Sequence, residues 1–205
     1  MLPRSISVKI ADLGNACWTD KHFTKDIQTR QYRSPEVILG GEYNFTADIW
    51  SCACMIFELL TGDFLFQPKE STKFTKDADH LAQVIELLGG FPKSQIKGSY
   101  ANEIFSKKGE IRGIKELNLW PLHAVLVDKY QFPATEAQEI SEFLLPMLHV
   151  DIRKRATASD CLRSKWLFPY NIIETSEQNN NQGNPIGCEQ DEIEKRMTNP
   201  VEPHK

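Results

Sequence analysis

The sequence has few cysteines, no long apolar run and no large excess of either charge. Its five cysteines are odd in number and form no Cys-X-X-Cys pair, so they indicate neither a disulfide framework nor a zinc site. No apolar run approaches the roughly 18 residues of a membrane span, and the N-terminus lacks the apolar stretch of a secretory signal. The 24 Lys and Arg and the 28 Asp and Glu give a net charge of -4, too small to indicate a nucleic-acid or membrane surface. We therefore expect a protein of the reducing cytosol or nucleus with no membrane partner and no direct nucleic-acid partner.

The chain divides by composition into three parts. Its 205 residues, 40% of them hydrophobic, are enough to bury the core of one domain. Residues 1–6 form a lead-in, and residues 7–168 carry patterned sequence. Residues 169–205 are rich in Asn, Gln, Glu and Pro and have few large apolar side chains, so burial could not offset the entropy of ordering them. We predict a disordered tail, for which a partner-binding role stays open.

Two helices are predicted from apolar periodicity. The first runs from Thr46, available as its N-cap, to Gly62 as its terminator, and it is apolar nearly all round, as in a helix buried inside a fold. The second covers residues 77–89, with Asp79 and Glu86 opposite its apolar stripe. That spacing alone is typical of a solvated face, and a binding role is the alternative.

Two single acids stand at the ends of predicted elements. The alternating apolar run VKIADLG predicts a strand that ends on Asp12, followed two residues later by Gly14. Asp48 lies in the first turn of the first helix, where a carboxylate interacts favourably with the helix dipole.

Four motifs in order, DLG, QTRQYRSPEV, ADIWSCACMIFELLTG and RKRAT, resemble the C-terminal lobe of a eukaryotic protein kinase. The resemblance covers roughly residues 7–168 and implies a mainly α fold of that type. The sequence contains no Gly-rich phosphate loop, no strand lysine paired with a helix glutamate and no HRDxxxxN catalytic loop. We therefore expect an incomplete kinase domain, with the N-lobe and the catalytic loop absent from the chain.

Within the kinases, KIADLGNACW, DIQTRQYRSPEV and DADHLAQVIELLGGFP resemble the SR protein kinases, which phosphorylate serines in Arg-Ser repeats of splicing factors. The neighbouring Clk or dual-specificity group is the alternative. The resemblance implies an activation segment over residues 12–36. It makes Asp12 the catalytic-site aspartate that holds Mg²⁺ against the ATP phosphates, with Gly14 letting the chain turn beside it. It also makes Thr29 a second catalytic-site residue, which hydrogen-bonds the catalytic loop.

The same resemblance assigns supporting and substrate-binding residues. Glu36, Asp48 and Arg155 support the site: Glu36 pairs with Arg155, and Asp48 accepts hydrogen bonds from the catalytic-loop backbone. The residues that would line an acidic docking groove for Arg-rich peptide are Asp63, Asp79, Glu86, Trp120 and Lys129. The residues that would bind a phosphoserine already made on the substrate are Arg30, Arg33 and Lys76. Lys76 stands where the family has arginine, so we expect weaker phosphate capture there.

These implications give two expectations for function. The first is a serine/threonine kinase, monomeric and located in cytoplasm and nucleus, which transfers the γ-phosphate of ATP to serines in Arg-Ser segments of splicing factors. It would use ATP and Mg²⁺ only together with the missing N-terminal part, and the isolated chain would be inactive. The second is a catalytically dead fragment that still docks Arg-Ser peptides as a binding module.

Overall fold

The computed structural model describes residues 7–167, which are mainly helical. The α-helices are α1 (Pro35–Ile38), α2 (Thr46–Thr61), α3 (Lys76–Leu88), α4 (Ala101–Ile104), α5 (Leu122–Ala124), α6 (Ala134–Met147) and α7 (Ala158–Leu162). A π-helical turn, Val125–Lys129, follows α5, and short 3-10 turns cover Leu13–Asn15, Arg30–Tyr32, Lys93–Gln95 and Lys165–Leu167. No helix in this part of the chain is both long and apolar enough to cross a membrane. The predicted lead-in and tail lie outside the described residues.

The strand predicted before Asp12 is wrong. Within residues 7–167 the β pairing consists of single bridges, Trp18 with Lys21 and Phe105 with Ile111. A strand is held by hydrogen bonds to a neighbouring strand, and none of the described segments pairs with residues 7–12. The alternating apolar pattern is therefore present without the partner that would complete it.

The predicted start of α2 is also wrong in its cap, while its end is confirmed. Thr46 is the first helical residue, and the Asn44 Oδ1 atom accepts hydrogen bonds from its backbone N at 2.9 Å and its Oγ1 at 2.6 Å. Thr46 thus lies inside the helix as a donor, and the side-chain acceptor at this end comes from Asn44. Gly62 ends the helix at φ 81°, where its lack of a Cβ makes the left-handed conformation accessible, and its N–H donates to the Glu58 carbonyl.

Two apolar clusters hold these helices together. Helix α2 packs against α6, and Trp50 and Phe57 on α2 are buried together with Leu144 on α6. Helix α1 packs against α3, around a cluster that includes Leu81 and Ile104. Burying each of these large side chains contributes about 1.5 to 3 kcal/mol. The clusters fix α2 and α3, the two helices that carry most of the predicted site residues.

One face of α2 is not buried, contrary to the prediction of a helix covered all round. Met55 is 46% exposed and Leu59 is 77% exposed, although Trp50 and Ala53 on the other face are fully covered. Further large apolar side chains are exposed in the segment that precedes α2: Val8, Ile10, Leu13, Trp18, Phe23 and Phe45. An apolar surface of this kind marks either an interaction site or an aggregation hazard.

We predict that the 205-residue chain associates through this surface. Its thermal unfolding is expected to depend on concentration, with light scattering rising before the transition, when melts are compared over a roughly tenfold concentration range. A double variant, Met55→Gln with Leu59→Gln, is expected to reduce the scattering without loss of helical signal, because both side chains are exposed. Melting curves that coincide at every concentration would contradict this prediction.

Candidate functional site

A cleft of about 950 Å³ lies between residues 15–33, within the predicted activation segment, and the N-terminal half of α2. Thr29 lines it from the segment, and Asp48, Ser51 and Met55 line it from α2. Asp48 is exposed in the first turn of α2, so its carboxylate faces solvent near the positive end of the helix dipole. The structure therefore brings two of the predicted site residues, Thr29 and Asp48, to the wall of one cleft.

Asp12 lies three residues before Asn15, the first residue of that cleft in chain order, and its backbone is unusual. It adopts the left-handed conformation, with φ 60° and ψ 50°. Asp is among the few non-glycine residues that tolerate this region, and such outliers cluster at functional sites. Gly14 was expected to make the turn, but Gly14 has no positive φ, and the turn is made at Asp12 itself. The left-handed conformation is therefore adopted by the residue that carries the carboxylate, and not by the glycine.

Asp12 does not belong to a cluster of metal ligands among the described residues. In residues 7–167 no group of three or more His, Cys, Asp or Glu is placed to hold a metal ion. Mg²⁺ at phosphate-transfer sites takes one or two carboxylates from the protein and the rest of its ligands from phosphates and water. The exposed carboxylate of Asp12 fits that requirement.

Glu36 and Arg155 form a buried bidentate ion pair although they lie 119 positions apart. Both Arg155 Nη atoms donate to the Glu36 carboxylate at 2.7 Å, and Arg155 Nε donates to the His149 carbonyl at 2.8 Å. The Arg155 side chain is 0% exposed and that of Glu36 is 9% exposed. The Arg155 guanidinium also lies 5.2 Å from the ring centre of Trp50. The pair fastens the end of the activation segment to the core.

Gln28 is a structural residue of the activation segment that the sequence analysis missed. Its Nε2 donates to the Ala47 carbonyl at 2.7 Å and to Ser51 Oγ at 2.9 Å, both on α2. Its Oε1 accepts from the backbone N of Ser34 at 2.9 Å, and its own φ is 69°. A Gln with positive φ is an outlier, and these side-chain bonds hold it in place. One signal in the sequence, a polar residue directly before Thr29, was too weak to indicate this role.

The predicted phosphate-binding residues come together at the start of α3. Arg30 forms a salt bridge with Asp77, which directly follows Lys76 in the first turn of that helix. Arg33 pairs with Asp26 at 2.9 Å. Both arginines are mostly buried, and Lys76 is exposed. Neither aspartate was singled out in the sequence.

His80 lies behind this cluster on α3. Its ring is fully buried, and neither nitrogen has a hydrogen-bond partner among the described residues. Burial, together with the nearby positive charges of Arg30 and Arg33, lowers the pKa of His80 to about 3. The imidazole is therefore neutral at pH 7 and adds no charge to the two arginines.

Two of the predicted docking residues, Asp63 and Lys129, are in direct contact. Lys129 Nζ lies 3.1 Å from Asp63 Oδ2, and the Tyr130 hydroxyl donates to the same oxygen at 2.9 Å. The hydroxyl of Tyr130 and the ammonium of Lys129 both lower the pKa of Asp63, because they stabilise its charged form. Tyr130 was not predicted, and it directly follows Lys129 in the sequence.

The other docking residues surround the segment that follows residue 117. Glu86 Oε1 accepts from the backbone N of Asn118 at 2.9 Å, and the backbone N of Trp120 donates to the Glu86 carbonyl at 2.8 Å. Trp120 Nε1 lies 3.4 Å from Asp128, a further carboxylate that the sequence analysis missed. Asp79, two turns before Glu86 on the same face of α3, accepts from the backbone N of Lys69 at 2.8 Å.

These carboxylates form an acidic surface with an exposed aromatic ring. Each of them keeps part of its side chain accessible, and Trp120 is 42% exposed. An Arg side chain can pair with a carboxylate through two parallel hydrogen bonds and can stack on an aromatic face. The surface is therefore chemically suited to an arginine-rich peptide.

Comparison with known proteins places this geometry in a family. The family described as protein kinase domain matches residues 1–167. Serine/threonine-protein kinase SKY1 of Saccharomyces cerevisiae is 56% identical over 163 residues, which are 79% of this chain and 22% of that protein. SRSF protein kinase 3 of Homo sapiens is 53% identical over 165 residues, 80% of this chain and 29% of that protein. Protein kinase dsk1 of Schizosaccharomyces pombe is 56% identical over 163 residues, 79% of this chain and 30% of that protein.

The chain thus spans less than a third of the length of each of these relatives. The family model covers the part of the chain that carries the four motifs and the cleft. Since the family match extends over far more than half of the sequence, this chain belongs to the protein kinase domain family.

Proposed function

We propose that this chain is the C-terminal lobe of an SR-type serine/threonine kinase, which transfers the γ-phosphate of ATP to serines in Arg-Ser segments. The observation that carries the proposal is the acidic surface around Trp120, formed by Asp63, Asp79 and Glu86 on a chain 53% identical to SRSF protein kinase 3. By its name, that relative is a kinase of SRSF proteins. The relatives reported above favour this group over the Clk or dual-specificity kinases. The monomeric state and the location in cytoplasm and nucleus stay predictions.

In this proposal the catalytic loop binds in the cleft beside α2. Asp48 and Thr29 line it with exposed polar groups, and Met55 adds an apolar wall. In this proposal Asp48 accepts hydrogen bonds from the backbone of that loop, and Thr29 bonds its catalytic side chains. The exposed apolar face of α2 supports the same assignment, because a packed neighbour would cover it.

Asp12 is the residue that would hold Mg²⁺ in this proposal. Bound there, the ion would neutralise the negative charge of the ATP phosphates. The contribution of the chain is to fix where the carboxylate lies. The buried Glu36–Arg155 pair anchors one end of the proposed activation segment, and Asp12, in the left-handed conformation, lies exposed at the other end.

Docking of substrate rests on charge and geometry. Asp63, Asp79 and Glu86 present carboxylates to guanidinium groups, and each is already held by a hydrogen bond within the chain. Carboxylates held in this way lose little side-chain entropy when a peptide binds. Binding should therefore be electrostatic and sensitive to salt.

The test is the affinity of the chain for a fluorescent Arg-Ser peptide, measured by anisotropy. The double variant Asp79→Ala with Glu86→Ala is expected to weaken binding roughly two- to thirtyfold, since exposed ion pairs contribute about 0.2 to 1 kcal/mol each. Raising the salt concentration should weaken wild-type binding and reduce the difference in affinity between the wild type and the double variant. The matched control is Glu136→Ala with Glu139→Ala, two exposed carboxylates of α6. Equal binding by the α3 double variant and the wild type would contradict the docking proposal.

A second candidate function is a binding module without catalysis. One observation favours it: Asp63, Asp79 and Glu86 are held by hydrogen bonds to residues of this chain alone. Both candidates predict peptide binding that depends on Asp79 and Glu86. They differ in phosphate transfer, which only the first predicts once a catalytic loop occupies the cleft.

A further inference from the structure

We propose that a basic surface in the segment after α3 binds the phosphorylated part of an Arg-Ser peptide, while the acidic surface holds the part that is not yet phosphorylated. This basic surface is formed by four exposed side chains, Lys93, Lys107, Lys108 and Arg112. Its assignment rests on the proposed function, which supplies the phosphorylated peptide as product. It adds a second peptide-binding surface to this chain.

The segment after α3 is strongly basic although the whole chain is acidic. Residues 93–115 contain six Lys and Arg and two Glu, a net charge of +4, whereas the whole chain carries -4. All six cationic side chains are exposed, and none of them forms a salt bridge within residues 7–167. Their charge is therefore available to attract an anionic ligand.

A tight turn carries Lys107 and Lys108. The backbone N of Gly109 donates to the Ser106 carbonyl at 2.9 Å, and the backbone N of Ser106 donates to the Glu110 carbonyl at 2.8 Å. Ser106 Oγ also accepts from the backbone N of Lys108 at 3.2 Å. Gly109 completes the turn at φ 86°, a conformation that glycine adopts without strain. These bonds fix the turn and involve neither lysine ammonium group.

Lys93 and Arg112 lie beside that turn. A Cβ placed on Gly109 would lie 3.3 Å from Lys93 Cε, so the Lys93 side chain passes over the turn. The backbone N of Arg112 donates to the Ile104 carbonyl at 2.8 Å, and its Nε donates to the Asn102 carbonyl at 3.1 Å. The bond from Nε holds the guanidinium and leaves its two Nη atoms for a ligand. The four cations therefore lie around one fixed loop.

The same segment leads directly into the acidic surface. Asn118 follows Arg112 by six residues, a span of at most about 22 Å. The backbone N atoms of Asn118 and Trp120 donate to the side chain and the carbonyl of Glu86. A peptide of four Arg-Ser pairs, about 26 Å long when extended, can therefore reach from one surface to the other.

Phosphorylation reverses the charge of such a peptide. Each Arg-Ser pair carries +1 before phosphate transfer and about -0.5 to -1 afterwards, because a phosphoserine carries about -1.5 to -2. The acidic surface attracts the first form and repels the second, and the basic surface does the opposite. The lysines offer each phosphate a point charge, and Arg112 can add two parallel hydrogen bonds. The finished part of a peptide is thus drawn off the acidic surface, which becomes open to the next Arg-Ser pairs.

Nucleic acid is the other common polyanion, and this surface suits it less well. Proteins that bind single strands stack the bases on aromatic side chains. Within residues 93–115 the exposed large aromatic side chain is Tyr100, and a Cβ placed on Gly40 would lie 2.7 Å from its ring. That ring is therefore packed against the chain on one side, and the net charge of -4 opposes a long polyanion.

The test is the affinity of the 205-residue chain for two fluorescent peptides of four Arg-Ser pairs, measured by anisotropy. One peptide is unphosphorylated, and the other carries phosphate on every serine. The double variant Lys107→Gln with Lys108→Gln should weaken binding of the phosphorylated peptide roughly two- to thirtyfold, and it should not weaken binding of the unphosphorylated one. Asp79→Ala with Glu86→Ala should weaken binding of the unphosphorylated peptide alone.

The matched control is Lys154→Gln with Lys165→Gln, which removes two exposed lysines elsewhere and should leave both affinities unchanged. Equal binding of the phosphorylated peptide by the wild type and the Lys107 and Lys108 double variant would overturn the assignment, and a loss in Arg30→Ala alone would place that peptide at the phosphate site instead. A single-stranded oligonucleotide that binds the wild type more tightly than the phosphorylated peptide would also overturn it. Failure of the docking proposal is seen separately, in the unphosphorylated peptide.

Discussion

Arg155→Met is expected to lower the free energy of unfolding of this chain by about 3 to 5 kcal/mol, because it leaves the Glu36 carboxylate buried without its partner. The Arg155 side chain is 0% exposed, and it also satisfies the carbonyls of His149 and Thr46. Methionine fills much of the same volume but donates no hydrogen bond. The lost stability therefore comes from an uncompensated buried charge and from unsatisfied carbonyls, and is larger than the loss of one attraction alone.

Urea denaturation followed by circular dichroism measures this loss, with Arg163→Met as the matched control. Arg163 pairs with Asp160, but the two side chains are 67% and 47% exposed, so that variant should change the free energy of unfolding by less than about 1 kcal/mol. The loss in the free energy of unfolding for Arg155→Lys should lie between those for Arg155→Met and Arg163→Met, since lysine keeps the charge but cannot form the bidentate pair. A change below about 1 kcal/mol for Arg155→Met would contradict the role given to the buried pair.

The local parts of the fold could be predicted from the sequence. The i, i+3, i+4 spacing of apolar residues indicated α2 and α3 to within one or two residues, and Gly62 marked the end of α2. These features depend on neighbours in the chain, which the sequence displays directly. The predicted cap of α2 was wrong because the helix already begins at Thr46, and the side-chain acceptor at this end comes from Asn44, which the apolar spacing does not single out.

Contacts between distant residues could not be predicted from spacing. The pairing of Glu36 with Arg155, 119 positions away, was predicted from the resemblance to kinases, since no periodicity in the sequence indicates it. The partners of Arg30 and Arg33 were missed, because an aspartate at position 26 or 77 looks like any exposed acid until the chain is folded. The pattern of α2 does not by itself reveal its exposed face, because apolar residues signal burial whether or not a covering segment is present.

The largest expected effect concerns Asp12. We expect a chimera that joins the preceding half of the human SRSF protein kinase 3 domain to residue 7 of this chain to phosphorylate an Arg-Ser peptide. In that chimera Asp12→Asn should lower kcat/KM at least roughly a thousandfold, since the carboxylate would hold the ion that offsets phosphate charge, a contribution of about 4 kcal/mol. Asp20→Asn, an exposed aspartate of the same segment, is the matched control and should retain activity.

Phosphate transfer by this chimera is the most direct test of the account. The account predicts transfer of the γ-phosphate to serine, its loss in Asp12→Asn, and weaker peptide binding in Asp79→Ala with Glu86→Ala. A folded chimera that binds ATP and Arg-Ser peptide but transfers no phosphate, or one that is equally active with Asn at position 12, would contradict the assignment of this chain as the C-terminal lobe of an SR-type kinase.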